Sequence, residues 1–313
     1  MSGHVVRIGT RGSDLALWQA RRVAGALRER LGLEAELVIV RTRGDVVRDV
    51  AFHKMEGKGF FTKELQHALL EGRVDLVVHS LKDLPTEEPE GLVLAAIPER
   101  TTPADLLLAP AGSLRPDHAD PLGLPRETVV GTSSLRRAAQ LLHLRPDLGL
   151  RALRGNVPTR LRRLREGGYG AIVLAAAGVR RLELDLDGLD VAELPPEVML
   201  PAPGQGALAI ECRADDPLRH HVGALHDPEA ARCVAAERRL LELLGGGCHL
   251  PLGCLATPAA GGALRLQAAL GEVDSEVTRA RVVRVGAAAP DPETAARACH
   301  TALAEAMPEV VAP

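Results

Sequence analysis

Residues Thr128–Gly178 read TVVGTSSLRRAAQLLHLRPDLGLRALRGNVPTRLRRLREGGYGAIVLAAAG. The spacing of apolar residues changes repeatedly along this stretch. TVVGTS is a short β-branched run ended by a glycine, and SLRRAAQLLHL places its apolar residues at helical intervals. LRALRGN then reads as a strand and turn, VPTRLRRLREG as a helix with a proline in its first turn, and AIVLAAAG as a buried strand. Strands alternating with helices predict a mostly parallel sheet covered on both faces.

The same alternation appears toward the N-terminus. Val5–Thr10 reads as a strand, Ser13 as the cap of a helix through Arg30, and Ala35–Val40 as the next strand. A helix from about Thr62 to Glu71 leads into strands at Val74–Ser80 and Gly91–Ile97. The Pro-, Gly- and Asp-rich stretch Pro110–Pro125 separates the two alternating units, and the second is expected to end near Pro195 and Pro196. The strand ALAIECR, Ala207–Arg213, follows the crossing LPAPGQG. A chain that leaves one α/β unit, builds another and returns makes two hinged lobes with a cleft between them.

The tail differs. It reads as a helix over Pro228–Leu244, a glycine-rich loop, strands near Leu264–Leu270 and Val277–Val285, and a helix over Pro292–Met307. The predicted division is residues 1–99 with 200–217 as a first domain, 100–199 as a second, and 218–313 as a small α+β third.

A chain of 313 residues exceeds one ordinary core, in line with this division. Hydrophobic residues make up 46% and charged residues 25%, the balance of a globular protein. No basic-then-apolar leader and no apolar run of ~20 residues is visible, so a cytoplasmic protein without a membrane span is expected. A net charge of −3 with 2% aromatics gives no reason to expect nucleic acid. The widely spaced cysteines Cys212, Cys233, Cys248, Cys254 and Cys299 do not form a disulfide framework, and most are expected to be small buried hydrophobes. The basic residues are overwhelmingly arginine, yet Lys54, Lys58, Lys63 and Lys82 fall in one segment with Phe52, Phe60 and Phe61. That segment is a candidate site.

In GTSSLRR, Thr132, Ser133 and Ser134 open a helix with Arg136 and Arg137 in its first turn. Cations there oppose the helix dipole, so the placement calls for an anion. RGNVPTRL repeats the design with Arg154 and Arg160, and Arg11 occupies the matching turn GTRGS of the first lobe. Five guanidiniums at the carboxyl ends of strands, where open α/β sheets bind ligands, point to a polyanion. Neither a Walker motif nor GxGxxG is present, which weakens the nucleotide reading.

HSLKDLP puts His79, Lys82 and Asp83 just after a buried strand. Asp83 can be a general acid or can stabilise a developing cation, although an ordinary surface turn before a proline reads the same way. GGGCHLPLGC holds Cys248, His249 and Cys254. C-H-x4-C is a poor metal set, C-x-x-C is missing, and His249 is a weak thiolate partner, so an attachment site at Cys248 fits better than metal, redox or nucleophilic chemistry, with a buried structural cysteine as the plain alternative.

With these motifs in order, RIGTRGSDLALWQA, EGKGFFTKELQHALLEGRVDLVVHSLKDLPT, GTSSLRRAAQL, LRGNVPTRL, LPAPGQGALAIECR and GGGCHLPLG, the chain resembles the porphobilinogen deaminase family almost end to end. The resemblance implies an α/β fold of two periplasmic-binding-protein-like lobes with mixed, mostly parallel sheets plus a small α+β C-terminal domain. It implies a transferase of haem biosynthesis that joins four porphobilinogen molecules head to tail with loss of ammonia on a dipyrromethane cofactor, then releases hydroxymethylbilane by hydrolysis. By this resemblance the cofactor hangs on Cys248 through a thioether, Asp83 is the catalytic carboxylate, and Lys82, Ser133, Arg136, Arg137 and Arg154 hold the cofactor. Arg11, Ser13, Arg160 and Arg181 would bind substrate, and Lys58 and Phe61 would belong to an active-site loop. A cytoplasmic monomer without a metal is implied, handing its product to the next tetrapyrrole enzyme. Small departures are Gly12 after Arg11, where relatives often carry a larger residue, Pro158 inside the RGN turn, and Cys254 as an extra thiol near the anchor. A non-enzymatic two-lobed anion-binding protein would explain the arginine turns but not Asp83 beside Lys82 or the glycine-flanked cysteine. A zinc-binding regulatory protein would rest only on Cys248, His249 and Cys254.

Overall fold

The computed structural model describes residues 5–41, 62–115, 120–247 and 250–311. They fall into two compact units, one of residues up to Thr101 with Gly206–Arg232, the other of Thr102–Gln205 with Cys233 onward.

The first unit is built on a five-stranded sheet of order β2-β1-β3-β10-β4, with β1 Val6–Thr10, β2 Ala35–Ile39, β3 Leu76–Ser80, β4 Leu92–Ala96 and β10 Leu208–Arg213. β1 runs parallel to β2 and β3, whereas β10 is antiparallel to both β3 and β4. Four strands therefore point one way, and the returning strand runs against them. Side chains alternate across the sheet. Val6, Ile8, Leu76, Val78 and Ile210 pack with α1 (Asp14–Leu31) on one face, while Val77 packs with Leu65 and Leu69 of α2 (Lys63–Leu70) on the other.

The second unit repeats the plan. Its sheet has the order β7-β6-β8-β5-β9, with β5 Asp105–Pro110, β6 Val129–Gly131, β7 Gly149–Arg151, β8 Ala171–Ala175 and β9 Leu189–Leu194. β6 is parallel to β7 and β8, and β5 is antiparallel to β8 and β9. Leu107, Val130 and Val173 pack against Leu141 of α3 (Leu135–Leu144) on one face. Leu106, Leu108 and Ile172 pack against Leu161 and Leu164 of α4 (Val157–Arg165) and Val179 of α5 (Ala176–Arg181) on the other. The same unit holds an antiparallel sheet of β11 (Leu252–Pro258), β12 (Leu264–Val273) and β13 (Ala280–Ala289), packed on α7 (Pro228–Leu243) and α8 (Pro292–Ala306). Ala139 of α3 joins Leu255, Ala269 and Val282 of this sheet in one cluster, which is why the C-terminal sheet is not a separate unit.

The alternating pattern holds, with differences at particular places. Residues 218–225, assigned from the sequence to the third domain, pack instead in the first unit: α6 (Leu218–Val222) puts Leu218 and Val222, followed by Leu225, into the core of Val6 and Ile8. Residues 200–205, assigned to the first domain, belong to the second unit. The run AIVLAAAG is not one strand, because β8 ends at Ala175 and passes into α5 without a loop. β5, β9 and β11 answer to no strand expected from the sequence.

Candidate active site

In the first unit two parallel strands end side by side, with Ile8 paired to Leu76 and Gly9 to Val77. Beyond β1 come Arg11 and Ser13, and beyond β3 come Lys82 and Asp83 in a single 3-10 turn over Leu81–Asp83. Both sets therefore lie at the same end of one sheet. Ser13 caps α1, its Oγ accepting from the Ala16 N–H at 3.4 Å, and the Gln19 amide donates to Ser80 Oγ at 2.7 Å. That second bond ties the capped helix to the last residue before the turn. Lys82 is half-buried and Asp83 is exposed, so its carboxylate stands open at the sheet end. Behind it His79 Nε2 lies 2.7 Å from Glu211 Oε2, and Gln66 donates to both oxygens of Glu211 at 3.0 and 3.2 Å. This buried polar cluster was not read from the sequence as a unit. Only its alternation within apolar strands could have marked it.

In the second unit β6 and β7 pair from Val129 and Gly149 to Gly131 and Arg151, so the GTSSLRR and RGNVPTRL turns leave the sheet at one end. Ser134 caps α3 and Asn156 caps α4, where Pro158 sits in the first turn as expected. Gly155 has φ 104°, and a Cβ there would come within 2.8 Å of Thr159 Cγ2, so the turn requires glycine. The Ser133 hydroxyl donates to Leu153 O at 2.9 Å and accepts from the Leu153 N–H at 3.1 Å, joining the two turns. Arg154 and Arg160 are half-buried beside them, with Arg160 Nε donating to Gly155 O at 2.8 Å. Arg181 ends α5 and is buried.

The anion called for by Arg136 and Arg137 is, in part, the chain's own. Both guanidiniums are buried at 5% and 6% exposure and meet on Asp105, which is fully buried. Arg136 Nη1 lies 2.7 Å from Asp105 Oδ2, and Arg137 Nη2 lies 2.7 Å from Oδ1. Burial by itself raises the Asp105 carboxyl, but the two guanidiniums outweigh it and hold it well below the usual carboxylate range. Burial lowers Arg136, and Asp105 opposes that shift. One carboxylate for two guanidiniums leaves a surplus positive charge, and Arg137 Nε is a buried donor with no acceptor among the described residues. A donor set of this kind fits a group that carries carboxylates. The sequence did not reveal Asp105, which stands more than thirty residues before its partners.

Cys248 and His249, like Lys58 and Phe61, lie outside the described residues. Cys254 is a fully buried residue of β11 whose Sγ faces Glu237 O at 3.9 Å. Cys212, Cys233 and Cys299 are buried as well. Among the described residues no group of three or more His, Cys, Asp or Glu side chains is arranged to hold a metal, and no helix is long and apolar enough to cross a membrane.

Two family models match the chain. "Porphobilinogen deaminase, dipyromethane cofactor binding domain" covers residues 6–220, and "Porphobilinogen deaminase, C-terminal domain" covers residues 231–309. Among curated relatives, the porphobilinogen deaminase of Nitratidesulfovibrio vulgaris is 48% identical over 291 residues, covering 91% of this chain and 87% of that one. That of Syntrophotalea carbinolica is 49% identical over 263 residues, covering 83% and 80%. Among solved structures, an ancestral cationic amino acid solute binding protein aligns over 71% of this chain and 87% of its own at 17% identity and a TM-score of 0.44, a likeness that says nothing about ligand or reaction. The sequence matches, spanning both five-stranded sheets and the C-terminal sheet, settle the relationship: the chain belongs to the porphobilinogen deaminase family.

Proposed function

We propose that this chain is a transferase that condenses porphobilinogen head to tail, four molecules in turn, and releases hydroxymethylbilane by hydrolysis. The observation that carries the reading is the gathering of Arg11, Ser13, Lys82 and Asp83 at one sheet end in the first unit and of two arginine turns at one sheet end in the second. When bound, dipyrromethane supplies the free pyrrole α-carbon from which the chain of pyrroles grows. Cys248 would hold it through a thioether, and Lys82, Ser133, Arg136, Arg137 and Arg154 would bind its carboxylates.

Loss of ammonia from porphobilinogen leaves a positive charge on that pyrrole. Asp83, exposed at the end of β3, supplies the opposite charge and accepts the proton released when the new bond forms. At an effective dielectric near 20, a carboxylate about 4 Å from that charge contributes roughly 4 kcal/mol. Each pyrrole brings two carboxylates, which Arg11, Arg160 and Arg181 would bind with Ser13. Lys58 and Phe61 would be further substrate-binding residues. A cytoplasmic monomer that passes its product to a following tetrapyrrole enzyme completes the reading.

The direct test is Cys248→Ser, made in the full chain and checked for native folding. The reading expects folded protein that carries no pyrrole and produces no hydroxymethylbilane, and normal loading of that variant sinks the attachment assignment.

A further inference from the structure

Asp105 is absent from the anion site read in the sequence, yet both arginines of the GTSSLRR turn depend on it. It opens β5 and is fully buried. Its Oδ2 accepts from Arg136, while its Oδ1 accepts from Arg137 and, at 3.0 Å, from Gln205 Nε2. Each guanidinium has a second anchor on the backbone, Arg136 Nη1 on Leu200 O and Arg137 Nη1 on Val173 O, both at 2.8 Å. Three separate segments therefore fix the orientation of two planar forks. Both cations stand in the first turn of α3, where the helix dipole disfavours them, and a single carboxylate offsets only one of the two charges.

We propose that Asp105 is a positioning residue for ligand carboxylates. It holds the two guanidiniums side by side and lowers their joint charge from two to one, so that the pair stays buried and ordered without a ligand and keeps one charge for a ligand carboxylate. The inference rests on the reading that Arg136 and Arg137 bind carboxylates. A counter-ion of purely structural importance would affect folding alone.

The test follows the rate at which folded, cofactor-free full-length protein gains pyrrole mass from porphobilinogen, and the dependence of that rate on porphobilinogen concentration. Asp105→Asn, Arg137→Leu and the double variant are compared, with circular dichroism confirming the native fold of each. Misplacing the forks is expected to slow loading by about a hundredfold, chiefly through a raised half-saturating concentration. Because Asp105 acts through the arginines and only Arg136 is left for it to orient in the double variant, the loss there is expected to fall well short of the product of the two single losses. Asp105→Glu is expected to recover part of the rate. Losses that multiply in the double variant, or a folded Asp105→Asn that loads like the wild type while Arg137→Leu is impaired, overturn the role of Asp105 and leave the arginine reading standing. Normal loading in Arg137→Leu overturns the arginine reading itself, and this inference with it. Should Asp105→Asn not fold, Asp105→Glu carries the test: raised half-saturation in folded protein supports the proposal, and wild-type half-saturation refutes it.

Discussion

The Ser133 hydroxyl and the Leu153 backbone exchange two hydrogen bonds, of 2.9 and 3.1 Å, between the two arginine turns of the second unit. Leu153 is buried but Ser133 is exposed, so water can take up part of those bonds when the hydroxyl is removed. Ser133→Ala is expected to lower stability by about 0.5–1.5 kcal/mol. Denaturant titration reads this directly, and an unchanged midpoint would show that the two turns hold their spacing without the serine.

Asp83 is exposed, so its charge can be removed without a folding cost. Asp83→Asn is expected to keep the melting temperature and lose about a thousandfold in turnover, the equivalent of roughly 4 kcal/mol of charge stabilisation. Asp83→Glu, which keeps the charge, is expected to lose far less. Equal losses in the two variants would exclude charge as the role of this residue.

Glu211 and His79 pair at 2.7 Å with side-chain exposures of 2% and 5%, and Gln66 donates to the same carboxylate. Removing Glu211 leaves the buried Gln66 amide without its acceptor, and Glu211→Ala is expected to destabilise the protein by about 1–3 kcal/mol. Replacing both members, as in His79→Leu with Glu211→Leu, is expected to cost less than Glu211→Ala alone. Additive losses in equilibrium unfolding would rule out a coupled pair.

The Asp105 carboxyl is depressed in the folded state, so its contribution is present above its unfolded value of about 3.9 and is lost only as pH falls toward the lower folded value. The stability difference between wild type and Asp105→Asn is therefore expected to stay flat from neutral pH to about 4 and to narrow below it. A difference that already closes between pH 7 and 5 contradicts the pairing with Arg136 and Arg137.

Thiol chemistry separates the cysteines. Burial pushes Cys212 up to about 12 and Cys299 up to about 11. Both thiols stay protonated in the fold well above their ordinary value, and the stability this gives is present below about pH 8.5 and is lost as pH rises toward the folded values. Alkylation of native protein at pH 8, followed by peptide mapping, is expected to leave Cys212, Cys233, Cys254 and Cys299 unmodified until denaturant is added.

Much of this was legible in the chain because strand and helix periods differ. The Ser13 cap, α1, β1, β2, β10, α7 and α8 were readable from caps and apolar spacing. β5 was missed because DLLLAP follows a proline-rich segment and has no helix beside it in sequence, which breaks the β/α rhythm. β9, LDVAEL, is an edge strand with a mixed burial pattern and gives no clean alternation. The join of β8 to α5 carries no glycine or proline to mark it. The arginines were visible as charges in the wrong half of a helix, but their partner was not: Asp105 reaches them only through sheet pairing, which sets β5 antiparallel to β8. Local spacing marked the arginine turns as a candidate site, and nonlocal packing supplied the counter-charge of Arg136 and Arg137.

The intact mass of the purified, denatured protein, measured before and after incubation with porphobilinogen, tests cofactor attachment and stepwise condensation together. An excess of two linked pyrroles mapping to the Cys248 peptide is expected, with further whole pyrrole increments after incubation. A mass equal to that of the bare chain, unchanged by porphobilinogen, would contradict both and leave the arginine turns as a binding site without the chemistry.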